Sequence, residues 1–292
     1  MSGRPSELPS LRAAVFCVVG AALLWSSGGL FIKIAPMPAL AVAFGRAAVT
    51  SIFYLAVLRP KLSQARWTTA LAYALCIVTF VLATRLTSAA NAIFLQYTGP
   101  AYVLLLSPAI LGERFRPVDA ACIALSLLGM SLFFVGGGRI DQGHAAGNLL
   151  GALSGVFFAF TVVFVRRDAT RGAGDAMPSI TLGNLLAAAM TLPFIATALP
   201  AALSGRGIAV LLYLGLVQMG VAYLLFARGV RRVPAAEASL ISMLEPVLNP
   251  VWVFIGTGER PGPWAIAGGC LVVAAVVLRT LLVKETERAA SG

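Results

Sequence analysis

The chain has 292 residues, of which 59% are apolar and only 11% charged. A water-soluble domain carries about 25% charged residues, so too little charge is present to cover a surface facing water, and the chain reads as membrane-embedded. The formal net charge of +11 does not mark a nucleic-acid binder, because Lys and Arg sit in short gaps between apolar runs rather than in one basic stripe.

A bilayer-crossing helix needs about 20 predominantly apolar residues. The sequence predicts ten, at roughly 13–33, 39–58, 67–85, 88–111, 118–137, 146–165, 178–199, 207–227, 234–256 and 262–283, joined by short loops and flanked by polar tails. Arg4 and Arg12 precede the first run as they would in a signal peptide. The uncharged stretch Ala13 to Ile32 is too long for the apolar core of one, and it is expected to stay as the first span. Of the Lys and Arg residues, 16 fall on the side that carries both termini, 5 on the other, and Arg46 lies within span 2. This bias predicts cytoplasmic termini.

The same chain contains one stretch twice. Ser88 to Pro117 aligns without a gap on Pro234 to Pro263, with eight identities between Ala89 and Pro117. Pro100 falls on Pro246, Gly112-Glu113-Arg114 on Gly258-Glu259-Arg260, and Pro117 on Pro263. Weaker echoes pair Lys33 with Arg166 and Gly45-Arg46 with Gly183-Asn184. An odd number of spans per half turns the second copy over. The expected fold is an all-α membrane protein of ten transmembrane helices in a five-plus-five inverted repeat, with halves at 1–141 and 145–284. Inverted repeats are a common build of secondary transporters, whose substrate site lies near the midplane.

The two Gly-Glu-Arg turns, the two proline-broken helices, Trp25-Ser26-Ser27 in span 1 and Arg46 in span 2 resemble the drug/metabolite transporter superfamily, and within it the EamA-type members. The resemblance covers nearly the whole chain. It implies ten spans with both ends cytoplasmic and export of small metabolites. Within the superfamily the best match is to the YddG-like exporters of aromatic amino acids, although the cavity lining differs among subfamilies.

Several residues within the spans could carry transport. A proline inside a helix removes a hydrogen bond and crowds the carbonyl four residues earlier, so Pro100 and Pro246 should free the carbonyls of Gln96 and Ser242 near mid-membrane. Each kink either curves its helix or lines a cavity and flexes. Glu245 is the only acid deep inside a span. A carboxylate at mid-bilayer costs about 2.5–3.5 kcal/mol on insertion scales and so faces a water cavity or a partner. It could bind a substrate amine, carry a coupling proton, or pair structurally with Arg46. Ser242, Glu245, Asn249 and Trp252 are spaced to share one helix face. Arg46 could meet a substrate carboxylate, pair with Glu245 or snorkel outward, and structural pairing is the favoured job. The expected substrate-binding set is Trp25, Asn91, Gln96, Tyr97, Ser242, Glu245 and Asn249. Further candidates are Tyr73, Gln218 and Tyr223, with packing as the plain alternative for every aromatic.

Other residues read as structural. Lys33 and Arg85 should anchor at the interface, and Glu113 and Glu259 should hold their turns by local pairing with Arg. Gly151 and Gly155 permit close helix contact. Cys17, Cys76, Cys122 and Cys270 read as buried small apolar residues. The one histidine, His144, has no second ligand near it in sequence. No cofactor or metal is expected, and the expected partners are a small-molecule substrate and the lipid bilayer, with the chain acting as a monomer of the inner membrane. No GxxxxGK[ST], HExxH or GxSxG pattern occurs, which argues against ATP-driven transport and against an intramembrane enzyme. A multidrug or nucleotide-sugar carrier is the alternative within the superfamily.

Overall fold

The structure, a computed structural model, describes residues 9–87, 89–114, 116–135, 145–171, 175–257 and 262–289. His144 and the second Gly-Glu-Arg turn lie outside them. Every regular element among the described residues is helical. The segments in chain order are α1 (Leu11–Ile34), α2 (Ala39–Leu58), α3 (Trp67–Leu86), α4 (Ala89–Gln96 and Gly99–Leu111), α5 (Pro117–Val135), α6 (Ala145–Thr170), α7 (Met177–Phe194), α8 (Gly205–Gly229), α9 (Ala235–Ser242 and Leu244–Thr257) and α10 (Pro263–Ala289).

Among the described residues, seven stretches are long and apolar enough to cross a membrane: α1, α2, α3, Asn91–Leu111 of α4, α6, α7 and α8. α5 and α10 are apolar over the shorter stretches Pro117–Leu132 and Ile266–Arg279, and α9 is interrupted at Met243. Hydropathy alone therefore overstated the uniformity of the ten runs. The outer surface carries large apolar side chains from most segments, among them Phe16, Ile52, Leu105, Leu149, Ile255 and Leu281. An apolar surface of this extent belongs in lipid. Cys270 is also exposed and Cys17 half-buried, against the expectation of four buried cysteines; Cys76 and Cys122 are buried.

Several hydroxyls inside the segments are satisfied locally. Thr84, Ser107, Thr161 and Thr181 each donate their hydroxyl to the carbonyl four residues back, which hides a polar group where lipid offers no partner. At the end of α4, Gly112 takes a positive φ of 72° and its N–H returns to the carbonyl of Pro108 at 3.1 Å, the usual glycine stop of a helix.

The packing is dominated by contacts between the first five segments and the last five. α3 packs on α6 and α7, α1 on α8 and α9, α2 on α7 and α8, α4 on α6, and α5 on α10. These pairings are unchanged when each segment is exchanged for the one five places away: α3–α6 becomes α8–α1, α3–α7 becomes α8–α2, and α4–α6 becomes α9–α1. The echo of Gly45 in Gly183 obeys the same exchange, since Gly45 of α2 lies against Leu211 of α8 and Gly183 of α7 against Tyr73 of α3.

α6 meets α4 through its glycines. A side chain at Gly155 would stand 2.8 Å from the carbonyl oxygen of Leu95 and 3.0 Å from that of Gln96. Those neighbours are backbone and cannot turn aside. Gly155→Val should therefore destabilise the fold by about 1–3 kcal/mol, more than Leu153→Val on the outer face. Thermal unfolding of the two purified variants checks this, and equal midpoints would contradict it.

Candidate functional site

The two proline helices are broken rather than kinked. α4 stops at Gln96 and restarts at Gly99; α9 stops at Ser242 and restarts at Leu244. Pro100 and Pro246 fall in the first turn of the restarted pieces, where a missing N–H costs no helical bond. Tyr97 and Met243, which are equivalent in the sequence repeat, occupy the breaks. The Tyr97 hydroxyl donates to Glu245 Oε2 at 2.5 Å, so one break is tied to the other. Both side chains are buried, Tyr97 at 1% exposure and Glu245 at 8%.

Beside this contact lies a central cavity of about 40 Å³, walled by Trp25 (α1), Arg46 (α2), Cys76, Ile77 and Phe80 (α3), Gln96 (α4), Phe158 (α6), Gln218, Met219 and Tyr223 (α8) and Glu245 (α9). Both halves of the chain contribute. At roughly 10–15 Å³ per water, the volume suits a few waters and is too small for an amino acid. Arg46 is 2% exposed, and its Nε and Nη1 have no hydrogen-bond partner. It forms no ion pair with Glu245, whose carboxylate is taken by Tyr97 instead. The structural pairing expected for Arg46 is therefore absent, and the side chain stands at the cavity wall with two nitrogens unpartnered. The aromatic wall is continuous: Trp25 lies 4.9 Å from Tyr223 and 5.2 Å from Phe226, and Tyr73 lies 4.7 Å from Tyr223. The indole N–H of Trp25 and the side-chain carbonyl of Gln218 also lack partners.

α8 reaches the cavity through an unusual turn. Residues Tyr213–Val221 form a π-helix, a wide register frequent at functional sites. Its carbonyls are met from α2: Thr50 donates to Gly215 at 2.8 Å and Tyr54 to Gly220 at 2.8 Å. This stretch carries Gln218 and Met219 to the wall. Gln218 fits because Gly28 of α1 has no side chain; a Cβ there would stand 2.6 Å from the Gln218 amide.

Four of the expected site residues gather here. Trp25, Gln96 and Glu245 line the cavity and Tyr97 holds Glu245. Gln96 donates to Ser154 of α6 at 2.8 Å, so part of its amide is already committed. The other three lie elsewhere. Asn91 donates to Thr87 at 3.2 Å, and Thr87 in turn donates to Asn148, which places this cluster at the start of α4. Ser242 donates within its own helix to Ala238 at 2.9 Å. Asn249 rests against Gly29 of α1, and Trp252 donates to Ser26 at 2.7 Å. The break at Met243 resets the helical phase between Ser242 and Glu245, whereas Glu245 and Asn249 stand one turn apart on the restarted piece, with the Asn249 amide against α1. Cys76, Ile77, Phe80, Phe158 and Met219 were missed; an apolar residue that lines a cavity carries no sequence signal that separates it from core.

The first Gly-Glu-Arg turn also differs from expectation. Glu113 does not pair locally. It accepts from Arg166 of α6 at 2.8 Å and from the backbone N–H of Ala235, the first residue of α9, at 2.9 Å. An acidic group at a helix N-terminus is favoured by the helix dipole. Arg85, expected as an interfacial anchor, donates to the carbonyls of Ile32, Ala35 and Met37 and so caps the end of α1. Arg279, counted with the basic C-terminal end, is 2% exposed and pairs with both Asp119 at 2.8 Å and Glu237. Asp168, also unforeseen, accepts from Thr69 and Ser179 and pairs with Arg66 and Arg167.

Comparison with known proteins places this arrangement. The profile of the EamA-like transporter family matches twice, over residues 12–135 and 145–281. A probable terminal-alkyne amino-acid exporter from Streptantibioticus cattleyicolor is 30% identical over 210 residues, covering 70% of this chain and 69% of that protein. Uncharacterised transporters from Bacillus subtilis and Archaeoglobus fulgidus are 26% and 27% identical, over 66% and 70% of this chain and 61% and 72% of theirs. One solved crystal structure superposes with a TM-score of 0.73 at 21% identity, covering 94% of this chain and 99% of its own, a likeness of fold. The chain belongs to the EamA-like transporter family and is a multi-pass membrane transporter.

Proposed function

We propose that this transporter exports small zwitterionic metabolites, aromatic amino acids foremost, by alternating access through the central cavity. The carrying observation is the chemistry of that cavity: the unpartnered Arg46 N–H groups and the Glu245 carboxylate share one buried space with an aromatic wall. A carboxylate would meet Arg46, an ammonium would meet Glu245, and a planar side chain would lie against Trp25, Phe158 and Tyr223. The amino-acid exporter among the relatives supports the substrate class. The cavity must widen to admit such a molecule, and the Tyr97–Glu245 contact between the two breaks is the bond that would yield as it does.

In this reading the chain crosses the inner membrane ten times as a monomer, in two oppositely oriented halves at 1–141 and 145–284, with both termini cytoplasmic. Three observations support it. The family profile matches two consecutive stretches, the segment pairings survive exchange of the halves, and basic residues crowd the loops on the side of the termini. The close approach of the end of α4, the end of α6 and the starts of α5 and α9 around Glu113, Arg166 and Asp119 is what alternating up and down segments require.

Reconstitution in liposomes tests the substrate class. Labelled phenylalanine should be taken up faster than phenethylamine, which lacks the carboxylate, and faster than a nucleotide sugar. Equal flux of the carboxylate-free cation would favour a multidrug carrier and overturn the role of Arg46; selective flux of the sugar would overturn the substrate class. Arg46→Gln should raise KM for phenylalanine at least about tenfold, the loss of one charged hydrogen-bond set, and narrow the preference over phenethylamine, whereas Glu245→Gln should weaken both substrates. Unchanged flux in both variants would remove the cavity from the transport path.

For topology, single cysteines introduced at Ser2 and Ser291 of a cysteine-free background should react with an impermeant maleimide only after spheroplasts are broken. Labelling of intact spheroplasts at either position would contradict cytoplasmic termini.

A further inference from the structure

A second cavity, of about 190 Å³, opens at the end of the bundle where α4 stops and α9 begins. Its charged wall comprises Glu113, Arg114, Arg116, Asp119, Arg166 and Arg279. The carboxylates there are already engaged. Glu113 is held by Arg166 and by the Ala235 N–H, and Asp119 by Arg279 Nε at 2.8 Å. Glu237, next to this wall, is held by Arg279 Nη1. The guanidiniums are not exhausted. Arg279 is 2% exposed, and its remaining nitrogen, Nη2, has no hydrogen-bond partner. Arg114 and Arg116 stand exposed at the mouth. Four guanidiniums against the three carboxylates Glu113, Asp119 and Glu237 leave one positive charge in excess.

A buried charged N–H without an acceptor is unfavourable. The side chain that carries it lines a cavity with a cationic mouth, and a guanidinium fork matches the oxygens of a phosphate group. We propose that this cavity is an oxyanion site of the phosphate class, separate from the central cavity, with Arg279 Nη2 as the inner donor and Arg114 and Arg116 as the outer ones. Two sources share that chemistry: the phosphodiester of an anionic lipid headgroup, at the level where headgroups meet a membrane-spanning bundle, and free inorganic phosphate. Bound there, the anion joins the α4–α5 turn to α10 and reinforces the closure that Glu113 and Arg166 make at the same end.

Thermal unfolding of the purified full chain tests this, using wild type and the double variant Arg114→Gln, Arg116→Gln, whose side chains lie outside the central cavity. In neutral detergent, inorganic phosphate is titrated against chloride at matched ionic strength. In parallel the protein is placed in nanodiscs of phosphatidylcholine with or without phosphatidylglycerol. Ligand binding to the native state raises the unfolding midpoint with the logarithm of ligand concentration once that exceeds Kd. A rise with phosphate identifies the free anion, and a rise confined to phosphatidylglycerol identifies the lipid. In either case the double variant should need at least about tenfold more ligand for the same rise. No rise in either arm, or an equal rise in the double variant, overturns the site. Phenylalanine uptake by the double variant is read separately, so failure of the central site and failure of this one are distinguishable.

Discussion

The hydrogen bond from Tyr97 to Glu245 joins the two places where the helices of this bundle give way. Each partner stands at a break of the same construction, a helix that stops just before a proline-bearing restart, and the breaks occupy equivalent positions in the two halves of the sequence. In a membrane an interrupted helix is tolerated only where it is buried in protein or lines a cavity. Here both conditions hold, since the breaks face each other across the interior and the central cavity lies beside them. The carboxylate that would be costly to bury alone is held by a phenol, and the neighbouring Arg46 is left free of it.

Around that point, the two ends of the bundle are secured by different means. At the end where α9 begins, charged side chains link segments distant in sequence: Glu113 binds α6 and the first turn of α9, and Arg279 binds α5 and α9. At the opposite end Arg85 gathers three backbone carbonyls where α1 gives way to α2. Buried ion pairs add little net stability against well-packed apolar residues, but removing one partner leaves an uncompensated charge. Their value in a moving protein is positional, because they hold only in the arrangement that aligns them.

Much of this was legible in the residues. The duplicated Pro and Gly-Glu-Arg stretch marked the two breaks, the lone acid within a span marked Glu245, and Trp25, Gln96 and Tyr97 fell at or beside the cavity. What escaped did so for identifiable reasons. The helical period assigned Ser242 to the face of Glu245, but period holds only along an unbroken helix, and the chain breaks between them. Glu113 was assigned to its nearest Arg in sequence, whereas its partner lies 53 residues on. Arg279 looked like one more basic residue near a terminus because nothing in its neighbourhood announces Asp119 or Glu237, which come from other segments. The π-helix of α8 left no trace at all, since its register depends on donors from α2.

That wide turn has a mechanical meaning of its own. A π stretch stores slack: the same residues wound as an ordinary α-helix would be longer and would present a different edge to their neighbours. In α8 the hydroxyls of Thr50 and Tyr54 meet carbonyls of this stretch from outside, and Val49 and Phe53 of the same segment pack against its Gly215 and Gly220. A rewinding of Tyr213–Val221 would lengthen this stretch and turn Gln218 and Met219 relative to the cavity they line, so its register sets which edge of α8 faces the interior.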